Sequence, residues 1–143
     1  MSNNSDQILE KQEKFQTYFP ILIFIILIFI LEVFHVQKAT SLVISVFISF
    51  FIYGVMAAKL KESYGNLPEF KPINLNLGLL TFLLLINTGV AILHWFQLIH
   101  VNLRWTLFFI ALLLYLVLLF RAVNTLHHLK QSMRGREKIN VKK

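Results

Sequence analysis

The stretch ILIFIILIFIL at residues 21–31 contains only isoleucine, leucine and phenylalanine, and it decides the fold class. At roughly 0.3–0.6 kcal/mol for each residue, its eleven side chains favour membrane insertion by about 3–7 kcal/mol. A charge at the middle of a bilayer costs about 2.5–3.5 kcal/mol, so Glu32, close to the end of the segment, does not cancel this gain. An unbroken run of this length favours a helix over a strand. The sequence therefore predicts a transmembrane helix over residues 19–36.

Three further apolar segments follow at residues 40–58, 77–99 and 103–122. Each approaches the roughly 20 residues that a helix needs to cross a bilayer. Very short links join the first segment to the second and the third to the fourth, which predicts two antiparallel hairpins. Gly65, Pro68 and Pro72 disfavour a continuous helix, so residues 59–76 are predicted to be a cytoplasmic linker. The expected fold is an all-α integral membrane protein of four transmembrane helices, forming a single domain over residues 1–143.

The composition agrees with a surface that faces lipid. Hydrophobic residues make up 57% of the chain and charged residues 15%, whereas soluble domains usually contain about 45–50% and about 25%. The chain has no cysteine, which excludes disulfides, thiolate metal sites and cysteine nucleophiles.

Lysine and arginine residues lie almost entirely on one side of the predicted helices. That side holds Lys11, Lys14, Lys59, Lys61, Lys71, Arg121, Lys130, Arg134, Arg136, Lys138, Lys142 and Lys143. The opposite side holds only Lys38 and Arg104. Because loops rich in lysine and arginine stay in the cytoplasm, this distribution predicts that both termini are cytoplasmic.

Most of the net charge of +7 comes from the end of the chain, and residues 123–143 are predicted to be a basic tail. Ala122, Val123, Leu126 and Leu129 keep an approximate helical period, which predicts that the fourth helix continues out of the bilayer. We expect the tail to contact anionic lipid, with docking of a cytoplasmic partner as the alternative. Nucleic-acid binding is not expected, because no groove of aromatic and basic residues accompanies the charges.

Small and hydroxyl-bearing residues recur every four positions along the second helix. They are Ser41, Ser45, Ser49 and Tyr53, with Gly54 and Ala58 one position over. Small residues at this interval let two helix backbones approach closely within lipid. We interpret Ser41, Ser45, Ser49, Gly54 and Ala58 as a helix-packing face, with a hydroxyl-lined path for a polar solute as the alternative.

A second group of polar residues is expected near the outer surface: Glu32, His35, Asn87, His94 and Arg104. Asn87 and His94 share one helix face, and Glu32 and His35 occupy a similar depth on the first helix. The hypothesis is an intramembrane polar cluster in which Glu32 accepts a hydrogen bond from His94 or His35, with Arg104 as another partner. In the alternative interpretation Glu32 and His35 reach the headgroups and Arg104 lies at the interface.

No arrangement of residues indicates a metal site or a catalytic site. The histidines lack the i, i+4 spacing of a zinc-binding helix, so we expect no metal and no cofactor, with a haem between His35 and His94 as the alternative. Paired carboxylates, a Ser-His-Asp set and a phosphate-binding loop are absent from the sequence, and Glu32 is the only acid inside the predicted spans. We therefore expect no catalytic residues and no enzymatic activity.

Two functional hypotheses follow. The first is a protein that acts by association with another membrane protein or with itself, as an accessory subunit, assembly factor or regulator of a membrane complex. The second is a small oligomeric transporter or channel with a polar path near Glu32, Asn87 and His94. The abundance of isoleucine, phenylalanine, asparagine and lysine is typical of an AT-rich coding sequence, so the expected location is the cytoplasmic membrane of a bacterium.

Overall fold

The computed structural model describes residues 2–65 and 68–141, and all of its long elements are α-helices. They are α1 (Ser2–Val33), α2 (Lys38–Tyr64), α3 (Lys71–Trp95) and α4 (Val101–Val141), with a 3₁₀ turn at Pro68–Phe70 before α3. All four are long and apolar enough to cross a membrane. Lys142 and Lys143 of the predicted tail lie outside the described residues.

The helices are longer than the apolar segments that predicted them. α1 begins at Ser2 and not at residue 19, and α4 continues to Val141, through the predicted tail. The predicted linker over residues 59–76 is wrong at both ends, because α2 continues to Tyr64 and α3 begins at Lys71. Pro72 lies in the first turn of α3, where a helix does not need the missing N–H.

Gly65 is the residue at which α2 stops. Its backbone has φ 76° and ψ −175°, a conformation that is available essentially only to glycine. Its N–H still donates to the Lys61 carbonyl, which closes the last turn of the helix. The prediction that Gly65 interrupts the helix was therefore correct, although α2 ends six positions beyond its predicted end.

Consecutive helices pack antiparallel, so α2 and α4 run in the same direction. α1 contacts α2 and α4, and α2 contacts the three other helices. About 39% of the apolar window of α2 is buried, against 17–22% for the other three helices. α2 is therefore the most buried helix of the bundle, although α4 also contacts the three other helices.

The two tight turns lie together at one end of the bundle, which we call the turn end. Lys38 Nζ, at the start of α2, is 4.6 Å from the centre of the Trp105 ring in α4. The opposite end, which we call the basic end, contains the start of α1, the end of α4 and the 3₁₀ turn that precedes α3. Arg136 in α4 pairs there with Glu69 in the 3₁₀ turn, at 2.8 Å.

The turns that end α1 and α3 share one backbone geometry. His35 and Gln97 both have φ 55°, in the left-handed region. In the first turn the Val36 amide donates to the Leu31 carbonyl at 3.0 Å, and the second turn has the equivalent bond at 3.1 Å. This is the Schellman motif, in which the left-handed position is usually glycine. Both helices end in this way without a glycine.

Candidate functional site

Hydroxyl groups at the centre of the bundle join α2 to α4. The Tyr115 hydroxyl lies 2.8 Å from Ser49 Oγ and 3.1 Å from the Val46 carbonyl. Nearer the basic end, the Tyr53 hydroxyl donates to the Ala122 carbonyl at 3.3 Å. Tyr53 and Tyr115 are both fully buried. Each helix thus contributes a tyrosine that bonds to the backbone of the other.

The residues of the predicted packing face differ in burial. Ser41, Ser45 and Ser49 are buried, whereas Gly54 is half-buried and Ala58 is exposed. A Cβ added at Gly54 would meet no heavy atom within 4 Å, so no backbone approaches it closely within this chain. One position along a helix is a rotation of about 100°, which turns Gly54 and Ala58 away from the serine line. Within this chain, therefore, only the three serines of the predicted packing face are buried against other helices.

The five residues of the predicted polar cluster lie at the turn end in two separate places. Glu32 and His35 are exposed. The Glu32 carboxylate accepts a hydrogen bond from Lys38 Nζ at 2.7 Å, and it has no contact with His94, His35 or Arg104 within hydrogen-bond distance. His35 adopts the left-handed conformation of the turn, and it is absent from the wall of the cavity at this end. The hypothesis of a Glu32–His94 pair is therefore wrong for the described residues.

The other three members of the cluster line one cavity, which we call the turn-end cavity. It has a volume of about 190 Å³ and lies between α2, α3 and α4 at the turn end. Asn87, His94 and Arg104 contribute to its wall, together with Lys38 and Trp105. The remainder of the wall is mainly aliphatic and aromatic: Leu42, Val90, Val101, Leu107, Phe108 and Ala111.

Polar atoms in this wall have no hydrogen-bond partner among the described residues. Both side-chain atoms of Asn87, Oδ1 and Nδ2, are in this state, as is Nδ1 of His94. Asn87 is only 2% exposed. A buried amide without a partner is rare in folded proteins, because removing it from water costs several kcal/mol. Arg104 has one backbone bond, from Nε to the Ile99 carbonyl at 2.8 Å.

At the basic end, α1 and α4 continue together past the apolar part of the bundle. We call residues 7–16 of α1 and 127–141 of α4 the stalk. Glu13 Oε2 is 2.7 Å from Arg134, and its Oε1 is 3.1 Å from Lys130. Just below the stalk, Tyr18 donates to the side chain of Asn124. These contacts hold the two helices together beyond the apolar part of the bundle.

Sequence reasoning missed two residues that organise these sites. Tyr115 is the only strongly polar side chain in the run LLLYLVLLF at residues 112–120, and that isolation was a usable signal for an interhelical contact. Sequence reasoning used Lys38 only to predict the orientation of the chain in the membrane, although Lys38 binds Glu32 and lies over the Trp105 ring. No periodic pattern in the sequence indicates either contact of Lys38, because its partners Glu32 and Trp105 belong to other helices.

The described residues contain no group of three or more histidine, cysteine, aspartate or glutamate side chains placed to hold a metal ion. His94 lines the turn-end cavity and His35 does not, so the geometry does not support a haem between them. Comparison of the chain with protein-family models, with curated proteins and with solved structures finds no match.

Proposed function

We propose that the chain is a multi-pass protein of a bacterial cytoplasmic membrane, with the basic end in the cytoplasm, that acts by association with a larger membrane complex. In this role it is an accessory subunit, assembly factor or regulator, and it is not an enzyme. The observation that carries the proposal is the stalk. α4 has 41 residues, which at 1.5 Å per residue is about 61 Å, or roughly twice the thickness of the hydrocarbon layer.

The basic residues lie at different distances from the end of the apolar band, and this distance decides whether lipid or protein is the better partner. The apolar part of α2 ends near Ala58, five residues after Tyr53. Because α2 and α4 run in the same direction and Tyr53 contacts Ala122, Ala58 is level with about residue 127 of α4. Lys59 therefore lies at the headgroups, where it favours anionic lipid. Lys138 lies about 16 Å further out, which is about two Debye lengths at physiological ionic strength. Charges at that height are better placed for an acidic protein surface than for the membrane.

The stalk also exposes apolar side chains outside the apolar band. Ile8 is 64% exposed and Leu9 is 50% exposed. Both lie at least one helical turn farther from the apolar band than Glu13, and exposed aliphatic side chains beside cations are typical of surfaces that bind proteins. An association surface therefore fits the stalk better than a plain positive anchor does.

The contacts inside the bundle support association rather than conduction. Ser49, Tyr53 and Tyr115 hydrogen-bond within the α2–α4 contact. Val46 and Tyr115 are fully buried immediately below the turn-end cavity. A conducting path through one copy requires the separation of these groups.

Site-specific photo-crosslinking in native membranes tests the proposal. A photoreactive residue at Ile8 or Lys138 is expected to form one defined protein adduct. The matched controls are Phe29 and Val117, which are 70% and 62% exposed in the apolar band and are expected to react with lipid. Equal protein adducts at all four positions, or none at the stalk positions, would contradict association through the stalk.

Transport is the second candidate, and the turn-end cavity is the observation that favours it. Asn87 and His94 line that cavity, as a polar path requires, but Glu32 does not. Proteoliposomes that contain only this chain distinguish the two functions. Uptake of a solute or ion by the pure protein, lost in Asn87→Leu, would favour transport over association.

A further inference from the structure

We propose that the turn-end cavity binds a small amphiphilic organic anion, with its apolar body inside the cavity, a hydroxyl or carbonyl group at Asn87 and its negative group at Arg104. This inference is independent of the stalk. The turn-end cavity has no part in the proposed association through the stalk.

The first step is the state of Asn87. Its side chain is 98% buried, and neither its donor nor its acceptor is bonded to a described residue. The amide lies in the wall of the cavity, so a guest there is within reach of both atoms. A hydroxyl or carbonyl group on the guest completes the bonding of this amide, which a purely apolar guest does not do.

The second step is the charge at the mouth of the cavity. No carboxylate of the described residues lies within 4.0 Å of the Arg104 guanidinium, whereas Lys38 is already paired with Glu32. α2 and α4 both begin at this mouth, and the residue before α2, Gln37, makes no capping bond with its side chain. Helix N-termini carry partial positive charge and free N–H groups. Arg104 and the two helix starts together favour a negative group.

The third step is the size and the lining of the cavity. A cavity of about 150 Å³ with aliphatic and aromatic walls binds benzene in another protein, and the turn-end cavity has about 190 Å³. Leu42, Val90 and Phe108 supply similar walls here. The space therefore fits a six-membered ring or a short branched chain with one or two polar groups. A free organic acid has this chemistry, as does an anionic lipid that places the end of one chain in the cavity.

Tryptophan fluorescence provides a direct measurement. The chain has two tryptophans, so Trp95→Phe leaves Trp105, in the cavity wall, as the only one. The probes are 4-hydroxycyclohexanecarboxylate, cyclohexanecarboxylate and cyclohexylmethanol, which do not absorb at the excitation wavelength. We expect a saturable change in Trp105 emission with the hydroxy acid at roughly 1 mM or below, as the ligand size allows, and at least tenfold weaker binding of the neutral alcohol.

Two substitutions assign the contacts. Arg104→Gln is expected to weaken binding of both acids by at least tenfold and to leave the alcohol unchanged. Asn87→Leu is expected to abolish the preference for the hydroxy acid over the plain acid. Arg121→Gln, an exposed arginine at the other end of the bundle, is the matched control and is expected to bind as the parent does.

Ala111→Leu is a further test that alters no charged or hydrogen-bonding group, because the larger side chain fills the cavity. It keeps the test decisive if Arg104→Gln does not fold. The proposal is overturned if no probe gives a saturable change up to roughly 10 mM, if Ala111→Leu binds as tightly as the parent, or if Arg104→Gln and Arg121→Gln behave alike.

The same titration in nanodiscs distinguishes the two sources of the anion. If anionic lipid competes with the acid and Arg104→Gln removes the competition, the natural occupant is a lipid headgroup with part of its chain. If zwitterionic and anionic nanodiscs give the same affinity, the occupant is a free organic acid. Both results place an amphiphilic anion in the cavity.

Discussion

Tyr115→Phe removes one hydroxyl from the contact between α2 and α4 and keeps the aromatic ring. That hydroxyl is 2.8 Å from Ser49 Oγ and 3.1 Å from the Val46 carbonyl, in a fully buried residue. A hydrogen bond between membrane helices contributes about 0.6 kcal/mol on average and about 1.7 kcal/mol at most, so loss of both lowers the free energy of unfolding by about 1–3 kcal/mol. The ring remains beside Phe24, at 4.9 Å between centroids, so no large cavity is added.

The assay is reversible unfolding in mixed micelles with increasing SDS, followed by tryptophan fluorescence. A double-mutant cycle with Ser49→Ala isolates the direct bond, and we expect a coupling energy of about 0.6 kcal/mol or more. The bond from the Tyr53 hydroxyl to the Ala122 carbonyl is longer, at 3.3 Å, so Tyr53→Phe is expected to cost less than Tyr115→Phe.

Tyr64→Phe is the neutral control, because Tyr64 is only half-buried and makes no interhelical hydrogen bond to a described residue. We expect its effect to remain within about 0.5 kcal/mol. The reasoning is refuted if Tyr115→Phe is no less stable than Tyr64→Phe. It is also refuted if the effects of Tyr115→Phe and Ser49→Ala simply add, since the two groups would then not interact.

Three further predictions concern the turns and the stalk. His35→Gly and Gln97→Gly each relieve a left-handed backbone at φ 55° and are expected to raise the free energy of unfolding by up to about 1 kcal/mol, measured in the same micelles; a loss of stability in both would contradict the assigned turn geometry. Gly65→Ala is expected to lower it by about 1–3 kcal/mol, because φ 76° with ψ −175° suits only glycine, and an unchanged midpoint would be evidence against that conformation. Glu13→Gln removes the charge between Lys130 and Arg134 and is expected to speed amide exchange in residues 8–16 about two- to fivefold, an effect of about 0.5–1 kcal/mol, while exchange in the apolar band stays unchanged.

Much of the architecture was predictable because one quantity, the length of an apolar run, decides it. Very short links within each of the two hairpins permit only antiparallel neighbours there, and the structure confirms four long apolar helices with consecutive helices packed antiparallel. Helix ends were less predictable. The helical period of the tail predicted that the fourth helix continues beyond its apolar run, and α4 does so. The polar residues before residue 19 gave no such signal, yet α1 begins at Ser2, and Glu13 there pairs with Lys130 and Arg134 of α4.

The buried face of α2 was partly predictable from spacing. A line of residues four apart lies on one side of a helix, and Ser41, Ser45 and Ser49 are buried as that spacing requires. Spacing alone did not indicate that Gly54 and Ala58 leave this face, nor that the partner on α4 is Tyr115. The partner depends on the vertical offset between two helices, which their connecting segments do not specify.

The sequence by itself determined the class of protein, the number and order of its helices and the separation of charge between the two ends, because these depend on hydropathy and length along one dimension. Only the tertiary structure decided which polar groups meet. It pairs Glu32 with Lys38, and it places Asn87, His94 and Arg104 around one cavity. The physical reason is that each of these contacts depends on the rotation and height of one helix relative to another, and packing of the whole bundle sets both.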